Sequence, residues 1–531
     1  MSAEPKPRVL IADALSDAAV KIFEERGIEA VVEVGLKPEA LIERIGAFDG
    51  LAVRSATKVT PAVLAAAERL KVVGRAGIGI DNIDLGAATG RGVVVMNTPH
   101  GNAITTAEHA IAMLFSLARQ IPAADRSTRA SKWEKSRFMG VELTGKTLGL
   151  VGCGNIGAIV AERARGLKMR VLAYDPFLAD ERAEALGVRK VDLDTLLANS
   201  DCITLHVPLT EQTRGMIDAK ALAKTRRGVL LVNCARGGLV VEEDLKAAIE
   251  AGQVAGAALD VFAVEPAKDN PLFQLEQVIC TPHLGASTSE AQENVALQVA
   301  EQMSDYLLTG AVTNALNMPS LTAEEARRLG PYMTLAEQLG SFAGQLTETG
   351  VKAIRLEYEG EAAELNTRPL TQVALMGFLR PMLAEGVNMV NAPIVARERE
   401  IQVTETRHSK DGDYNTLIRF TVETDRRTRS VAGTLFGGRR PRLIEVKGIA
   451  VEAELSPHML YITNLDKPGF IGNMGTIFGN AGINIATFHL GRADAGGEAI
   501  ALLGLDAPVP ADLLAEVRAL PNITQAVPLT F

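Results

Sequence analysis

The sequence predicts an α/β protein: two doubly wound parallel-sheet units, then a mixed α+β region, then a small βαββαβ unit. Three observations carry this. Short apolar runs alternate with helix-length amphipathic stretches between residues 8 and 281, the rhythm of repeated βα units and hence of parallel sheets. A strand-like run, Leu148 to Val151, feeds Gly152, Gly154 and Gly157 at G-x-G-x-x-G spacing and then a helical stretch. From Pro457 onward the order is strand, helix, strand, strand, helix, strand.

In the first unit, strands are expected over 8–12, 30–34, 50–54, 71–75 and 93–96, with a helix over 16–26. Two strands end in polar groups and pliant backbone: Arg54-Ser55, and Arg75 followed by Gly77-Ile78. Open α/β sheets keep their ligands at such carboxyl ends. An equal reading makes Arg54 and Arg75 surface charges beside ordinary turns. Residues 97–102, ending in Asn102, form a turn before a long apolar helix over 103–120. The polar stretch 125–140 follows, with the only tryptophan, Trp133, read as a packing anchor or a subunit contact.

Each glycine of the second unit has a task. Gly152 permits the tight turn, Gly154 lets the backbone approach a pyrophosphate, and Gly157 lets helix and strand pack closely. The amides at Asn155 and Ile156 and the positive helix end then face the anion. Asp175 ends the next strand at the ~20-residue distance where a carboxylate takes the ribose hydroxyls. No Arg stands beside it in Tyr174-Asp175-Pro176-Phe177, which favours NAD over NADP. Further strands are expected over 202–208, 229–234, 255–260 and 277–281, alternating with helices over 180–186, 218–223 and 242–251. A helix over 289–308 would cross back to the first unit. The expected division is therefore 1–98 with 287–312 as a discontinuous substrate-binding domain around a nucleotide-binding domain at 99–286, followed by 313–453 and 454–531.

The totals exclude several classes. A net charge of −9 with interspersed bases offers nucleic acid no footprint, and no apolar run approaches the ~18 residues of a membrane span. The start of the chain has no signal-peptide core. Cys153, Cys202, Cys234 and Cys280 stand singly, as buried small residues of a reducing compartment, and no metal-ligand spacing occurs.

Three polar residues end strands of the second unit: Arg236, Glu265 and His283. Hydride removal from a hydroxy acid needs a planar cation to grip the carboxylate, a base near neutrality for the hydroxyl proton, and a carboxylate to orient that base. Arg, His and Glu supply these in turn. A single His after a Thr-Pro turn also has a purely structural reading.

The segments Val-Gly-Cys-Gly-Asn-Ile-Gly at 151–157, Leu-His-Val-Pro-Leu-Thr at 205–210, Asn-Cys-Ala-Arg-Gly-Gly at 233–238, Leu-Asp-Val-Phe-Ala-Val-Glu-Pro at 259–266 and Thr-Pro-His-Leu-Gly-Ala at 281–286 resemble the successive signatures of the D-2-hydroxyacid dehydrogenases, over about residues 8 to 312. The resemblance implies flavodoxin/Rossmann-like domains with NAD as cofactor. It assigns Arg236 to the substrate carboxylate, His283 to acid/base work and Glu265 to supporting His283. It implies that Cys234, Ala235 and Asp260 meet the nicotinamide end, with His206, Pro208, His283 and Gly285 bordering the cofactor. Arg54, Ser55, Asn102 and the Gly77-Ile78 backbone would surround the substrate; Arg54, Arg75 and a partner's Lys135 would hold a phosphate.

Residues 313–453, with a helix over 322–346 and strands over 415–422 and within 430–443, resemble the intervening domain of long members of that family. Gly437-Gly438-Arg439-Arg440 reads as a hairpin turn or an anion nest. Asp466-Lys467-Pro468-Gly469 and Gly482-Ile483-Asn484-Ile485 make the last unit resemble an ACT domain, a dimerising amino-acid sensor. A bare oligomerisation module has the same fold. For such long members the resemblance implies oxidation of 3-phospho-D-glycerate to 3-phosphohydroxypyruvate, the entry to L-serine synthesis, in a cytoplasmic homodimer or homotetramer. L-serine would be the effector, at Asn464, Asp466 and Asn484. The rivals are an enzyme for glyoxylate or unphosphorylated hydroxypyruvate, against which the long tail argues, and an NAD-sensing binding protein, against which the intact Arg236, Glu265 and His283 argue.

Overall fold

The computed structural model describes residues 6–348, 350–383, 386–409 and 414–531; residues 1–5, where the chain start was read for a signal peptide, lie outside these. Strands β1 (Arg8–Ile11), β2 (Glu29–Val32), β3 (Gly50–Val53), β4 (Val72–Arg75) and β5 (Val94–Asn97) form a parallel sheet in the order β2-β1-β3-β4-β5. This is the flavodoxin-like order, with its switch point between β1 and β3. The inner strands are continuous apolar runs because helices cover both faces: Leu51, Ala52 and Val53 are fully buried.

The second sheet contains β6 (Thr147–Val151), β7 (Arg170–Tyr174), β8 (Arg189–Lys190), β9 (Cys202–Leu205), β10 (Val229–Asn233), β11 (Val254–Leu259) and β12 (Val278–Cys280). All pair in parallel, in the order β12-β11-β10-β9-β6-β7-β8. The order reverses between β6 and β9, and the glycine turn sits at the carboxyl end of β6, where such sheets bind nucleotides. Every residue of β6 is buried, with Leu148 and Leu150 facing one core and Val151 the other.

Two helices carry the chain between the sheets. The helix Ala103–Ala118 packs on β10, β11 and the helix Asn155–Gly166. The helix Ser289–Thr309 packs back on β3, β4, β5 and the helix Asp17–Glu25. Its stripe of Val295, Ala296, Val299, Ala300 and Met303 is buried at helical spacing. At its start the Thr288 hydroxyl accepts from the Ala291 amide at 3.2 Å. Beyond it, Asn317 ties the chain to the first sheet, accepting from Val95 N at 3.0 Å and donating to Val93 O at 2.8 Å. A helix not expected from the sequence, Ile121–Arg129 with proline at its start, runs into the polar stretch 125–140.

The third sheet comprises β13 (Val351–Gly360), β14 (Gln402–His408), β15 (Thr416–Thr424), β16 (Thr428–Phe436), β17 (Arg440–Val446) and β18 (Ile449–Ala453), in the order β14-β13-β15-β16-β17-β18. Only β13 and β14 pair in parallel. The helix Ala323–Gln345 packs on β15, β16 and β17 and on the helix Thr367–Leu383, and Thr322 and Glu325 cap its start reciprocally. Gly437 and Gly438, at φ 60° and 70°, turn β16 into β17, so these glycines make a tight hairpin.

The last sheet contains β19 (His458–Leu465), β20 (Ile485–Arg492), β21 (Glu498–Leu505) and β22 (Ile523–Thr530), antiparallel in the order β20-β21-β19-β22. The helices Phe470–Asn480 and Ala511–Ala519 share a core with it through Leu460, Met474, Phe478, Leu503 and Val517. It meets the third unit at Phe342, whose ring stands edge-on to Tyr461 at 5.7 Å, and at Gln345, which exchanges two 2.9 Å hydrogen bonds with the Thr530 backbone.

Candidate active site

The carboxyl ends of the two parallel sheets supply the site. At the end of β6, Gly152 has φ 94° and a Cβ there would lie 2.5 Å from His206 O; a Cβ on Gly157 would lie 2.2 Å from Gly152 O. A Cβ on Gly154 would meet nothing within 4 Å. The first and third glycines are thus required by the fold, whereas the space beside the second is open. Asp175 is oriented at the end of β7 by the amides of Cys153 and Phe177, each at 2.8 Å. Asn155 starts the helix and reaches Pro99 O at 3.4 Å.

His206 and Pro208 follow β9. His206 Nε2 lies 2.9 Å from the Thr204 hydroxyl, Nδ1 is buried without a partner, and burial pushes the imidazole down to about 4, so the ring is neutral near pH 7. Pro208 O accepts from the Thr213 hydroxyl at 2.6 Å. Asn102 Oδ1 is also buried and unpartnered. Leaving such groups unpaired costs about 1–3 kcal/mol each, a deficit that a bound ligand or water removes.

Asp260 ends β11 fully buried, with oxygens accepting from Leu284 N at 2.7 Å, Gly285 N at 2.8 Å and the Thr281 hydroxyl at 2.6 Å, while His109 Nε2 lies 3.2 Å away. Burial alone would raise its pKa; these donors outweigh burial and hold it lowered. In this structure Asp260 therefore braces the turn that carries His283. That turn needs a brace, because His283 has φ 56°, a left-handed conformation costing a non-glycine residue about 1–3 kcal/mol.

His283 Nδ1 stands 2.7 Å from Glu265 Oε2, and Glu265 Oε1 accepts from Phe262 N at 3.0 Å. The Glu265 hydrogen bond raises the His283 pKa against the opposing effect of burial. Burial works to raise the Glu265 pKa, but the bonds from His283 and the Phe262 amide leave it lowered. With Nδ1 engaged, Nε2 is the nitrogen left for exchanging a proton.

Arg236 follows β10 on a turn fixed by Asn233, which donates to Arg236 O at 2.9 Å and accepts from Ala235 N at 3.1 Å. Its Nε donates to Asp81 Oδ2 at 2.9 Å and its Nη1 to Ala235 O at 2.7 Å. Asp81 belongs to the first unit, so this pair spans the cleft. Arg75 is held at the end of β4, where burial first and then repulsion from Arg236 and Arg54 push its guanidinium down to about 10, still charged near pH 7. Arg75 thus lies within electrostatic reach of two further guanidiniums, Arg54 and Arg236. Ser55 is exposed, and Ile78 O accepts from Asn97 Nδ2 at 2.7 Å.

Several expected positions fall elsewhere. Gly77 is bonded to Thr98 in both directions, its amide donating to the hydroxyl at 2.7 Å and its carbonyl accepting from Thr98 N at 3.1 Å, so its N–H is taken by the fold. Cys153, Cys202 and Cys234 are buried as expected, whereas Cys280, on the edge strand β12, is exposed. Trp133 is 87% exposed, which rules out a packing anchor within the chain, and Lys135 beside it is exposed too. Asn464 is buried, with Oδ1 unpartnered; Asp466 pairs with Arg492 at 3.0 Å, and Asn484 donates to Asp506 at 2.9 Å. Asn464 aligns with Ala499 at one end of β21, and Asn484 lies beyond Leu505 at the other, so one chain does not bring these residues together.

A nucleotide turn on one sheet, facing a cationic cleft closed by a second sheet, defines an NAD-binding 2-hydroxyacid dehydrogenase. Residues 111–285 match the family described as "D-isomer specific 2-hydroxyacid dehydrogenase, NAD binding domain", residues 328–447 the "D-3-phosphoglycerate dehydrogenase intervening domain", and residues 458–522 the "ACT domain". A D-3-phosphoglycerate dehydrogenase of Archaeoglobus fulgidus is 43% identical over 98% of this chain and 99% of its own. Among solved structures, an NAD+-bound 3-phosphoglycerate dehydrogenase of Entamoeba histolytica (31% identical, TM-score 0.51) and a glyoxylate reductase of Paecilomyes thermophila (29%, TM-score 0.55) each cover 59% of this chain, and 99% and 98% of their own. The chain belongs to the family of D-3-phosphoglycerate dehydrogenases.

The sequence did not point to Asp81, Asn233, Thr98 or His109 as site residues. Asp81 lies 155 residues from Arg236 in the chain, and only the packing of the two units joins them.

Proposed function

We propose that this chain oxidises 3-phospho-D-glycerate to 3-phosphohydroxypyruvate at the cleft between its two parallel-sheet units, opening L-serine synthesis. The observation that carries the reading is the His283–Glu265 pair at 2.7 Å, within electrostatic reach of Arg236. NAD supplies the hydride acceptor when bound. On the protein side, Arg236 grips the substrate carboxylate through its planar fork. His283 Nε2 takes the hydroxyl proton, and Glu265 stabilises the imidazolium that results. Arg54 and Arg75, with Lys135 of a second subunit, hold the phosphate. Gly152, Gly154, Asn155, Ile156 and Asp175 seat the dinucleotide, and closure of the cleft excludes water.

The phosphate distinguishes this reading from reduction of glyoxylate, since three guanidiniums exceed the need of a lone carboxylate. The family match to full-length relatives favours it further. Assembly into a homodimer or homotetramer is supported by Trp133 and Met139, 87% and 78% exposed on one short segment. The four unpaired thiols suit the cytoplasm, and no helix among the described residues is long and apolar enough to cross a membrane. The test follows NADH consumption with 3-phosphohydroxypyruvate, with hydroxypyruvate, and with added L-serine. Strong preference for the phosphorylated acid with inhibition by L-serine supports the whole reading. Preference for the unphosphorylated acid overturns the substrate assignment, and indifference to serine reduces the last unit to an assembly module.

A further inference from the structure

Resting on the reading of Arg236 as the carboxylate-gripping residue, the geometry points to Asp81 as the positioning residue that sets the plane of that guanidinium for the substrate. Three contacts fix the group. Nε donates to Asp81 Oδ2 at 2.9 Å, Nη1 donates to Ala235 O at 2.7 Å, and Nη2 lies so close to Gly79 that a Cβ there would be 1.8 Å from it. Asp81 and Gly79 belong to the first parallel-sheet unit, while Arg236 belongs to the second. A guanidinium has five N–H donors. With Nε and one Nη1 hydrogen engaged, one hydrogen on Nη1 and both on Nη2 remain as donors. Those two nitrogens form one edge of the fork, matched to a carboxylate in bidentate geometry.

The charges agree with this arrangement. Arg75 is repelled by Arg236 across the cleft and by Arg54 on its own side, and Asp81 and Asp13 are the carboxylates that offset this at Arg75. Asp81 therefore both orients Arg236 and offsets repulsion before an anionic substrate arrives. Because its contact crosses the cleft, the orientation of Arg236 depends on the approach of the two units. A guanidinium free to swing would meet the carboxylate with one hydrogen bond instead of two, a loss felt in substrate binding and in the near-attack geometry.

The test measures kcat, KM for 3-phosphoglycerate and the NADH dissociation constant for Asp81→Ala, Asp81→Asn, Gly79→Ala, Arg236→Ala and the Asp81→Ala/Arg236→Ala double variant of the full chain. Asp81→Ala is expected to raise KM about tenfold or more with NADH affinity unchanged. Asp81→Asn, whose amide oxygen still accepts from Nε, is expected to recover most of the loss. Gly79→Ala is expected to mimic Asp81→Ala by displacing Nη2. In the Arg236→Ala background, removing Asp81 is expected to have no further effect, because the two act through one guanidinium. An unchanged or lowered KM in Asp81→Ala overturns the inference and makes Asp81 a bystander or a competitor of substrate. Equal losses in the Ala and Asn variants overturn it in favour of charge alone. If Arg236→Ala itself leaves kcat/KM intact, the reading of Arg236 fails, an outcome distinct from failure at Asp81 alone.

Discussion

His283 Nδ1 lies 2.7 Å from Glu265 Oε2, and the two residues shift each other's proton affinity in opposite directions: the imidazole is raised and the carboxyl lowered. In the proposed reaction oxidation needs neutral His283 as base, so its rate is expected to fall as pH drops through the raised pKa. Reduction needs the imidazolium and is expected to fall as pH rises through it. Replacing Glu265 by Gln removes the charge that raises the pKa. The pH profiles of kcat/KM in both directions should then move to lower pH, with kcat reduced about tenfold to a hundredfold. Profiles that do not move would separate Glu265 from the acid/base function.

The same pair has a stability window with a definite sign. A raised His pKa stabilises the fold below the unfolded value of about 6.5 and loses that contribution as pH rises through the folded pKa. A lowered Glu pKa stabilises above about 4.5 and loses its contribution as pH falls through the folded value. The pair therefore contributes most between about pH 4.5 and 6.5. In thermal melts the Tm difference between wild type and Glu265→Gln should be largest there and shrink on either side. A difference independent of pH would contradict the linkage.

The three glycines of the nucleotide turn should separate folding from binding. A Cβ at 157 would press on Gly152 O at 2.2 Å, whereas one at 154 would meet open space. Gly157→Ala is expected to lower Tm by several degrees, consistent with a loss of about 1–3 kcal/mol from overpacking. Gly154→Ala should melt as wild type yet bind NADH at least about tenfold more weakly, since the methyl group enters phosphate space. Calorimetry and NADH titration on both variants check this, and normal NADH affinity in Gly154→Ala would refute the phosphate assignment.

What the sequence made legible follows from how locally each feature is encoded. Apolar runs such as 148–151 betray strands buried on both faces, and glycine spacing betrays the turn. Arg236, Glu265 and His283 were visible because each ends a strand of one repeating pattern. The edge strand β8, Arg189–Lys190, was not, for it has no apolar residue and pairs through its backbone alone. Asp81 and His109 look like ordinary surface residues until tertiary packing sets them against Arg236 and Asp260. The Gly77-Ile78 backbone is expected beside the substrate, and the amide of Gly77 donates to the Thr98 hydroxyl, a partner equally invisible in the local sequence. Partners chosen by packing across units leave no local signature.

Discrimination for phosphate should reside in Arg75. Its burial and its repulsion from Arg236 and Arg54 mean the cation is kept at a cost, which a bound dianion would offset. Arg75→Met keeps the stem and removes the charge. It is expected to reduce kcat/KM for 3-phosphohydroxypyruvate about a hundredfold while changing that for hydroxypyruvate little, and rising salt should weaken only the wild-type preference. Equal losses on both acids would place Arg75 at the carboxylate or in the scaffold.

The proposed regulation by L-serine makes a stricter demand on the assembly. Asn464 aligns with Ala499, and Asn484 lies beyond Leu505 on the neighbouring edge, a separation of about 20 Å along β21 at roughly 3.3 Å per residue. A molecule the size of serine cannot touch both within one chain. A shared site therefore needs a second copy, related by a twofold axis that sets Asn464 of one chain against Asn484 of the other. Asn464→Ala and Asn484→Ala should each abolish inhibition without altering kcat. Mixing the two variants by co-refolding or co-expression should restore part of it, because a mixed pair contains one site with both asparagines intact and one with neither. Inhibition that survives either substitution, or that fails to return in the mixture, would show that these residues do not build a common serine site.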